Sequence, residues 1–220
     1  MPIQIHTNVL RKIEEMVAYF SKPTGNATLD DYAKYILPMF SSPDSSGIQE
    51  QLLAEAIGAT HKGGKKLGDD AHLESAPAEI KPCKSKKAVS SVNITDDQPT
   101  RLIKDIQKPD KLLVIGRCPE GIRFRWVAVC LLSDFSEHRY KVMCKRWKHE
   151  PEEWPNTPEE QIKLVQRVAE KRAKNNYIRS SQLKFNDIKK TLAFWVHPDV
   201  NLKSLKKRLE DNVIRRFCDK

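Results

Sequence analysis

Apolar residues recur at helical spacing through the first quarter of the chain. Between Asn8 and Phe20 they fall at Val9, Ile13, Met16, Val17 and Phe20, which predicts a helix. Lys22-Pro23-Thr24-Gly25-Asn26 breaks it, and a second helix is expected from about Leu29 to Leu37, before Pro38. The stretch 41–46 reads as a linker rich in helix-capping residues. A third helix is expected over 47–57, with Ile48, Leu52, Leu53, Ala56 and Ile57 along one side and Gly58 placed to end it.

Beyond the basic loop Lys62-Gly63-Gly64-Lys65-Lys66 the pattern shortens, and 66–73, 77–84 and 88–94 read as extended segments. Asp96-Asp97-Gln98-Pro99 has the character of a helix start, with Leu102, Ile103 and Ile106 as its buried side. Segments 111–115 and 122–132 are the strongest strand candidates, joined as a hairpin through Pro119-Glu120-Gly121. In Arg123-Phe124-Arg125-Trp126-Val127 basic and apolar residues alternate, which predicts a strand with one face open to solvent or ligand. Segment 139–144 reads as a further strand. After a proline-rich loop, Thr157-Pro158-Glu159-Glu160 predicts a capped helix to about Asn175, with Ile162, Val165, Val168 and Ala169 inward. Leu202, Leu205, Leu209, Val213 and Phe217 predict a final basic helix. Helices, then a mixed sheet, then helices predict one α/β or α+β domain.

Composition narrows the class. The 220 residues are 39% hydrophobic, enough to bury a core. No run approaches the roughly 18 apolar residues of a membrane span. Met1 to Arg11 lack a basic stretch followed by an apolar one, so no secretory leader is expected. Cysteines at 83, 118, 130, 144 and 218 form no CxxC pair, which predicts reduced thiols and a cytoplasmic location. The net charge of +10 is uneven: residues 1–140 hold 19 basic and 18 acidic side chains, residues 141–220 hold 20 and 11. The C-terminal third is therefore expected to meet a polyanion.

The candidate chemistry lies between Gly47 and Lys87. On a strand, Glu79 and Lys81 project from one face while Ile80 turns into the core. A preceding strand ending near Asp70, joined by the short turn from His72 to Pro77, brings a second carboxylate beside them. Two carboxylates and an ammonium suit phosphodiester hydrolysis with Mg²⁺, which takes hard oxygen ligands and keeps several waters. A helix acid, Glu55 or Glu50, is expected to complete the set, and Asp69 stands as an alternate to Asp70. Asp187-Ile188-Lys189 repeats half the pattern with no acid close upstream, and reads as structural or surface. His61, His72, His138, His149 and His197 show no zinc spacing, Gly63-Gly64-Lys65-Lys66 is not a phosphate-cradling P-loop, and Trp126, Trp147, Trp154 and Trp195 read as packing residues.

Asp70…Glu79-Ile80-Lys81 resembles the signature of the PD-(D/E)XK nucleases, found in type II restriction endonucleases and DNA-repair nucleases. The run Gln51-Leu52-Leu53-Ala54-Glu55-Ala56-Ile57-Gly58-Ala59 is similar to the helix preceding that motif in the mismatch-repair nicking endonuclease and its restriction-enzyme relatives, and Glu79-Ile80-Lys81-Pro82 to the second half of their motif. Two departures stand out. Gly68-Asp69 precedes Asp70 where the family has proline, and the family's helix glutamate falls on Ala54.

The resemblance implies a restriction-endonuclease-like α/β fold, a mixed central sheet flanked by helices, filling 1–220 as one nuclease domain. Within it, 1–46 forms an N-terminal helical part, 47–145 the catalytic core, and 146–220 a basic helical DNA-binding part. It further implies Asp70, Glu79, Lys81 and Glu55 as catalytic residues, with Asp70, Glu79 and Glu55 (or Glu50, or Asp69) on Mg²⁺. Lys84, Lys86, Lys87, Arg123, Arg125, Arg179, Gln182 and Asn186 are the expected DNA contacts, the last three able to read base edges. The expected activity is cleavage of double-stranded DNA at a short, palindromic sequence. It would be carried out by a homodimer without a membrane, with a cognate DNA methyltransferase protecting the host. The rival readings are a repair or recombination nuclease with the same site, and a non-catalytic DNA-binding protein.

Overall fold

The computed structural model describes residues 46–62, 69–83, 91–93, 98–117, 124–171, 182–184, 188, 191–197 and 214–216. It also describes N-terminal positions 9, 11, 15, 18–19, 22–23, 25–31 and 33–34. Helix α1 (Ser46–Ala56) leads into strands β1 (Thr60–His61), β2 (Ala71–Leu73) and β3 (Ala76–Cys83). After β4 (Ser91–Asn93) come helix α2 (Pro99–Ile106) and the hairpin strands β5 (Leu112–Arg117) and β6 (Trp126–Leu131). A 3₁₀ turn, Leu132–Phe135, enters α3 (Ser136–Trp147), followed by α4 (Pro158–Glu170), β7 (Gln182–Lys184), β8 (Ala193–Val196) and β9 (Ile214–Arg216).

The main sheet has seven strands in the order β1-β2-β3-β5-β6-β8-β9, and β4 pairs with β7 in a separate ribbon. Pairing is mostly antiparallel. The exceptions are β3 with β5, and β8 with β9, which run parallel. A parallel neighbour requires a crossover, and α2 supplies it between β3 and β5. The fold is thus mixed α/β, with helices against the sheet.

Side-chain alternation on β3 and β5 separates the two faces. Ala78, Ile80, Leu112 and Val114 join Leu53, Ala54, Ala56 and Ile57 of α1 in one core cluster. Leu113 and Ile115 point the other way, into a cluster with Trp126, Phe135 and Phe194. A third cluster, Leu102, Ile106, Tyr140, Met143, Cys144, Leu164, Val165 and Val168, packs α2, α3 and α4 together. Gly116 marks the tightest approach, since a Cβ there would lie 2.5 Å from Leu53 Cδ2 and 2.7 Å from Phe124 Cε1.

Local signals explain several boundaries. Gly58, at φ +75°, ends α1. The Ala59 amide donates to the Ala54 carbonyl (2.8 Å) and the Gly58 amide to that of Glu55 (3.0 Å), the paired closure of a Schellman motif. At the start of α4, Thr157 Oγ1 accepts from the Glu160 amide and donates to the Glu160 carboxylate (2.9 Å). Cys83, Cys130 and Cys144 are buried free thiols. Among the described residues no helix is long and apolar enough to cross a membrane.

Four expectations are corrected. Segment 139–144 is helix, not strand: Ser136, Arg139, Tyr140, Met143, Cys144 and Trp147 are its buried residues, a helical period in which Arg139 takes an inward place. The helix expected to run through Phe217 does not do so, because Ile214–Arg216 pairs with β8 as a strand. Its earlier part, 201–213, lies outside the described residues. Finally, β6 has no open face. Trp126 to Cys130 are all buried, because α1 packs on one side of the sheet and the Phe135 cluster on the other. The segment 146–220 also contributes β8 and β9 to the main sheet, so it is not helical throughout.

Candidate active site

The strand pair β2–β3 builds the centre of the site. Its register sets Ala71 opposite Ala78, and one step further places Asp70 opposite Glu79. The Asp70 backbone is held from both sides: its amide donates to the Ala78 carbonyl (3.0 Å) and its carbonyl accepts from the Lys62 amide (2.9 Å). Its carboxylate then accepts from the Ile80 amide at 2.8 Å. Period-two alternation buries Ile80 against α1 and turns Glu79 and Lys81 to the opposite face. There Lys81 Nζ lies 2.7 Å from Glu79 Oε1 and 3.4 Å from Asp70 Oδ2, so one ammonium bridges carboxylates from two strands.

Glu79 is 6% exposed at its side chain and meets three cations. Besides Lys81, Arg101 from α2 donates to its Oε2 at 3.1 Å, and Lys111 approaches the same oxygen at 3.5 Å. Lys111 stands just before β5 and is itself buried, with Asp69 at 3.0 Å and Asp105 at 3.1 Å. Asp105, equally buried, also accepts from Arg139 at 2.9 Å. Lys108 holds Asp69 from outside at 3.1 Å. A buried charge is tolerated only when paired and hydrogen-bonded, and this network pairs every one of its members.

Protonation follows from these distances. Burial pulls the Lys81 ammonium down, yet Glu79 and Asp70 beside it prevail and hold it above the usual lysine range. Lys111 is raised in the same way by Asp105, Glu79 and Asp69 against the pull of burial. Burial pushes Asp69 up, but its bonds to Lys111 and Lys108 prevail and hold it below the usual carboxylate range. Glu50, on α1, is raised, first by burial and then by the like charge of Asp70.

That last relation places the helix acid. Glu50 feels Asp70, Lys81, His61 and Glu79, whereas Glu55 is exposed and accepts from Gln51 at 2.9 Å. The preference for Glu55 is corrected: five residues along a helix turn a side chain by well over a quarter circle, and α1 directs position 50 to the cluster. Of the two aspartates, Asp70 faces Lys81 and Asp69 faces Lys111.

The expected DNA contacts are more dispersed. Arg125 is half-buried beside β6, its amide donating to the Arg117 carbonyl at 2.7 Å. Gln182 opens β7 and pairs with Asn93 of the small ribbon. Lys84, Lys86, Lys87, Arg123, Arg179 and Asn186 lie outside the described residues, as do Asp187 and the loop 63–66. Arg101, Asp105, Lys108, Lys111 and Arg139 were not singled out from sequence. One signal for them existed: Asp105 interrupts the apolar stripe of Leu102 and Ile106, and an acid on a buried face needs a partner.

Among the described residues no three His, Cys, Asp or Glu side chains are gathered closely enough to form a ready ion cage. Asp70 and Glu79 share the Lys81 ammonium, with Glu50 close enough to feel both, while Asp69, Asp105 and Glu79 share that of Lys111. Such a group can hold a cation, orient a water and neutralise an anionic oxygen. Compared with known proteins, the chain matches no family model and no curated protein.

Proposed function

We propose that the chain is a Mg²⁺-dependent endonuclease of the PD-(D/E)XK type, cutting double-stranded DNA at a short sequence as type II restriction enzymes do. One observation carries the reading: Lys81 bridges Asp70 and Glu79 across adjacent strands. The strand that carries Glu79 and Lys81 is also paired with β2 and β5 and packed on α1, so its side chains keep their positions.

The donor set fits a hard dication. It offers carboxylate oxygens only, and Glu50 is held protonation-prone first by burial and then by the like charge of Asp70, which a dication would offset. Asp70 and Glu79 would hold the ion, with Glu50 as the third acid. Mg²⁺ supplies, when bound, a Lewis acid for the phosphate and a water acidic enough to attack it. Asp70, fixed by three hydrogen bonds of its backbone and carboxylate, sets where that charge sits. Lys81, kept protonated by its two acids, donates to a phosphate oxygen and offsets developing negative charge.

A palindromic target would be cut by a homodimer, one strand per subunit, with a methyltransferase protecting the host. Purified protein incubated with unmethylated phage DNA, in Mg²⁺ and separately in EDTA, tests this on a gel. Discrete Mg²⁺-dependent bands are expected, lost in Glu79→Ala. Nicked circles from plasmid DNA would move the reading to a repair nuclease. DNA that stays intact on phage, junction and mismatch substrates would refute it.

A further inference from the structure

We propose that Arg101 is a second grip on the nucleic-acid backbone, its guanidinium taking a phosphate next to the one that Lys81 faces. The inference rests on the nuclease reading and deepens it.

Among the described residues the charges of this network are balanced. Glu50, Asp69, Asp70, Glu79 and Asp105 stand against Lys81, Arg101, Lys108, Lys111 and Arg139. A cation of this network meets a polyanion by turning from a carboxylate to a phosphate. Lys111 and Arg139 are 2% and 0% exposed and cannot reach a polymer. Lys108 is more exposed, at 47%, but it pairs with Asp69 and not with the Glu79 that Lys81 also holds. Lys81 is held between two acids.

Arg101 differs on three counts. Its side chain is 29% exposed. It makes one hydrogen bond to Glu79 at 3.1 Å, while Asp105 lies at 3.8 Å, beyond hydrogen-bonding reach. A guanidinium carries five donors in a planar fork suited to phosphate, so most of them remain for a second acceptor. Turning it outward also strands no acid: Glu79 keeps Lys81 and Lys111, and Asp105 keeps Lys111 and Arg139.

The test measures binding of a short fluorescein-labelled DNA duplex to the full chain in EDTA, across a series of NaCl concentrations. Each phosphate contact adds about one unit to the slope of log affinity against log salt, so Arg101→Met is expected to flatten it by about one. Arg101→Lys keeps the charge and is expected to restore the slope while cleavage in Mg²⁺ stays reduced, because the fork is lost. A merely structural Arg101 predicts a lower melting temperature with the slope unchanged in Arg101→Met, and that result overturns the proposal. Should Arg101→Met fail to fold, Arg101→Lys decides: wild-type affinity and wild-type cleavage together would overturn it. Wild-type protein that binds with the expected slope change but never cuts leaves the grip standing and removes the nuclease. Wild-type protein that cuts, with an unchanged slope in the variant, removes only the grip, and one that binds no DNA removes both.

Discussion

Replacing Lys111 by methionine removes a deeply buried cation of the site, 2% exposed, while keeping its volume. Its Nζ lies 3.0 Å from Asp69, 3.1 Å from Asp105 and 3.5 Å from Glu79. At those separations each pair is worth about 5 kcal/mol of gross attraction at an effective dielectric constant near 20. Desolvation of the ions cancels most of that, and removing one partner of a buried pair typically costs about 3–5 kcal/mol. Glu79 and Asp105 keep other cations, so the lower end applies, about 3 kcal/mol, a large part of an ordinary domain's stability. Urea unfolding followed by tryptophan fluorescence measures it, with the slope checked for constancy. A pH series adds a second readout. Asp69 is depressed below its ordinary 3.8, so its stabilisation is present above that value and is lost as pH falls through the depressed one. Lys111→Met should blunt that acid limb. A loss below about 1 kcal/mol, with the acid limb intact, would refute the view that this network supports the site.

Glu79→Ala and Lys81→Ala are each expected to abolish Mg²⁺-dependent cleavage while retaining DNA binding, measured by gel and by anisotropy; full activity in either would sink the assignment. Glu50→Gln should raise the melting temperature in EDTA at neutral pH, since a carboxyl with a raised pKa destabilises the fold once it ionises, and should weaken the Mg²⁺ dependence of cleavage. Glu55→Gln, on the exposed side of α1, should change neither. Gly116→Ala forces a methyl group against Leu53 and the Phe124 ring, and is expected to cost about 1–3 kcal/mol by calorimetry. Thr157→Ala removes the cap of α4 and should cost about 1 kcal/mol.

Much of the architecture was legible because its signals are local. The apolar side of α1 and its stop at Gly58, the alternation around Ile80, the β5–β6 hairpin and the Thr157 cap each depend on residues a few positions apart. The pairing of Asp70 with Glu79 and Lys81 followed from strand alternation, but the strand expected to end near Asp70 instead runs from Ala71 to Leu73, and the turn expected over His72 to Pro77 is confined to Glu74 and Ser75. What stayed hidden depends on distant partners. Arg139 reads as a surface residue until Asp105, 34 positions earlier, is placed beside it, and that hid the helical period of α3. Arg101 and Glu79 are 22 positions apart, Lys108 and Asp69 39. The choice between Glu50 and Glu55 depended on how α1 is rotated over the sheet, which its own sequence leaves open because both lie at the border of the apolar side.

The charges of the site are also segregated along the chain. Residues 50–79 bring four of the acids, and residues 101–139 bring four of the cations. Until α2 and β5 dock, Lys81 is the cation of the β1–β3 stretch that pairs with Asp70 and Glu79. The ion pairs between the two segments therefore favour their closing together. Assembly of this region should accordingly be all-or-none, with refolding slowed by salt, which screens the attraction that joins the two halves.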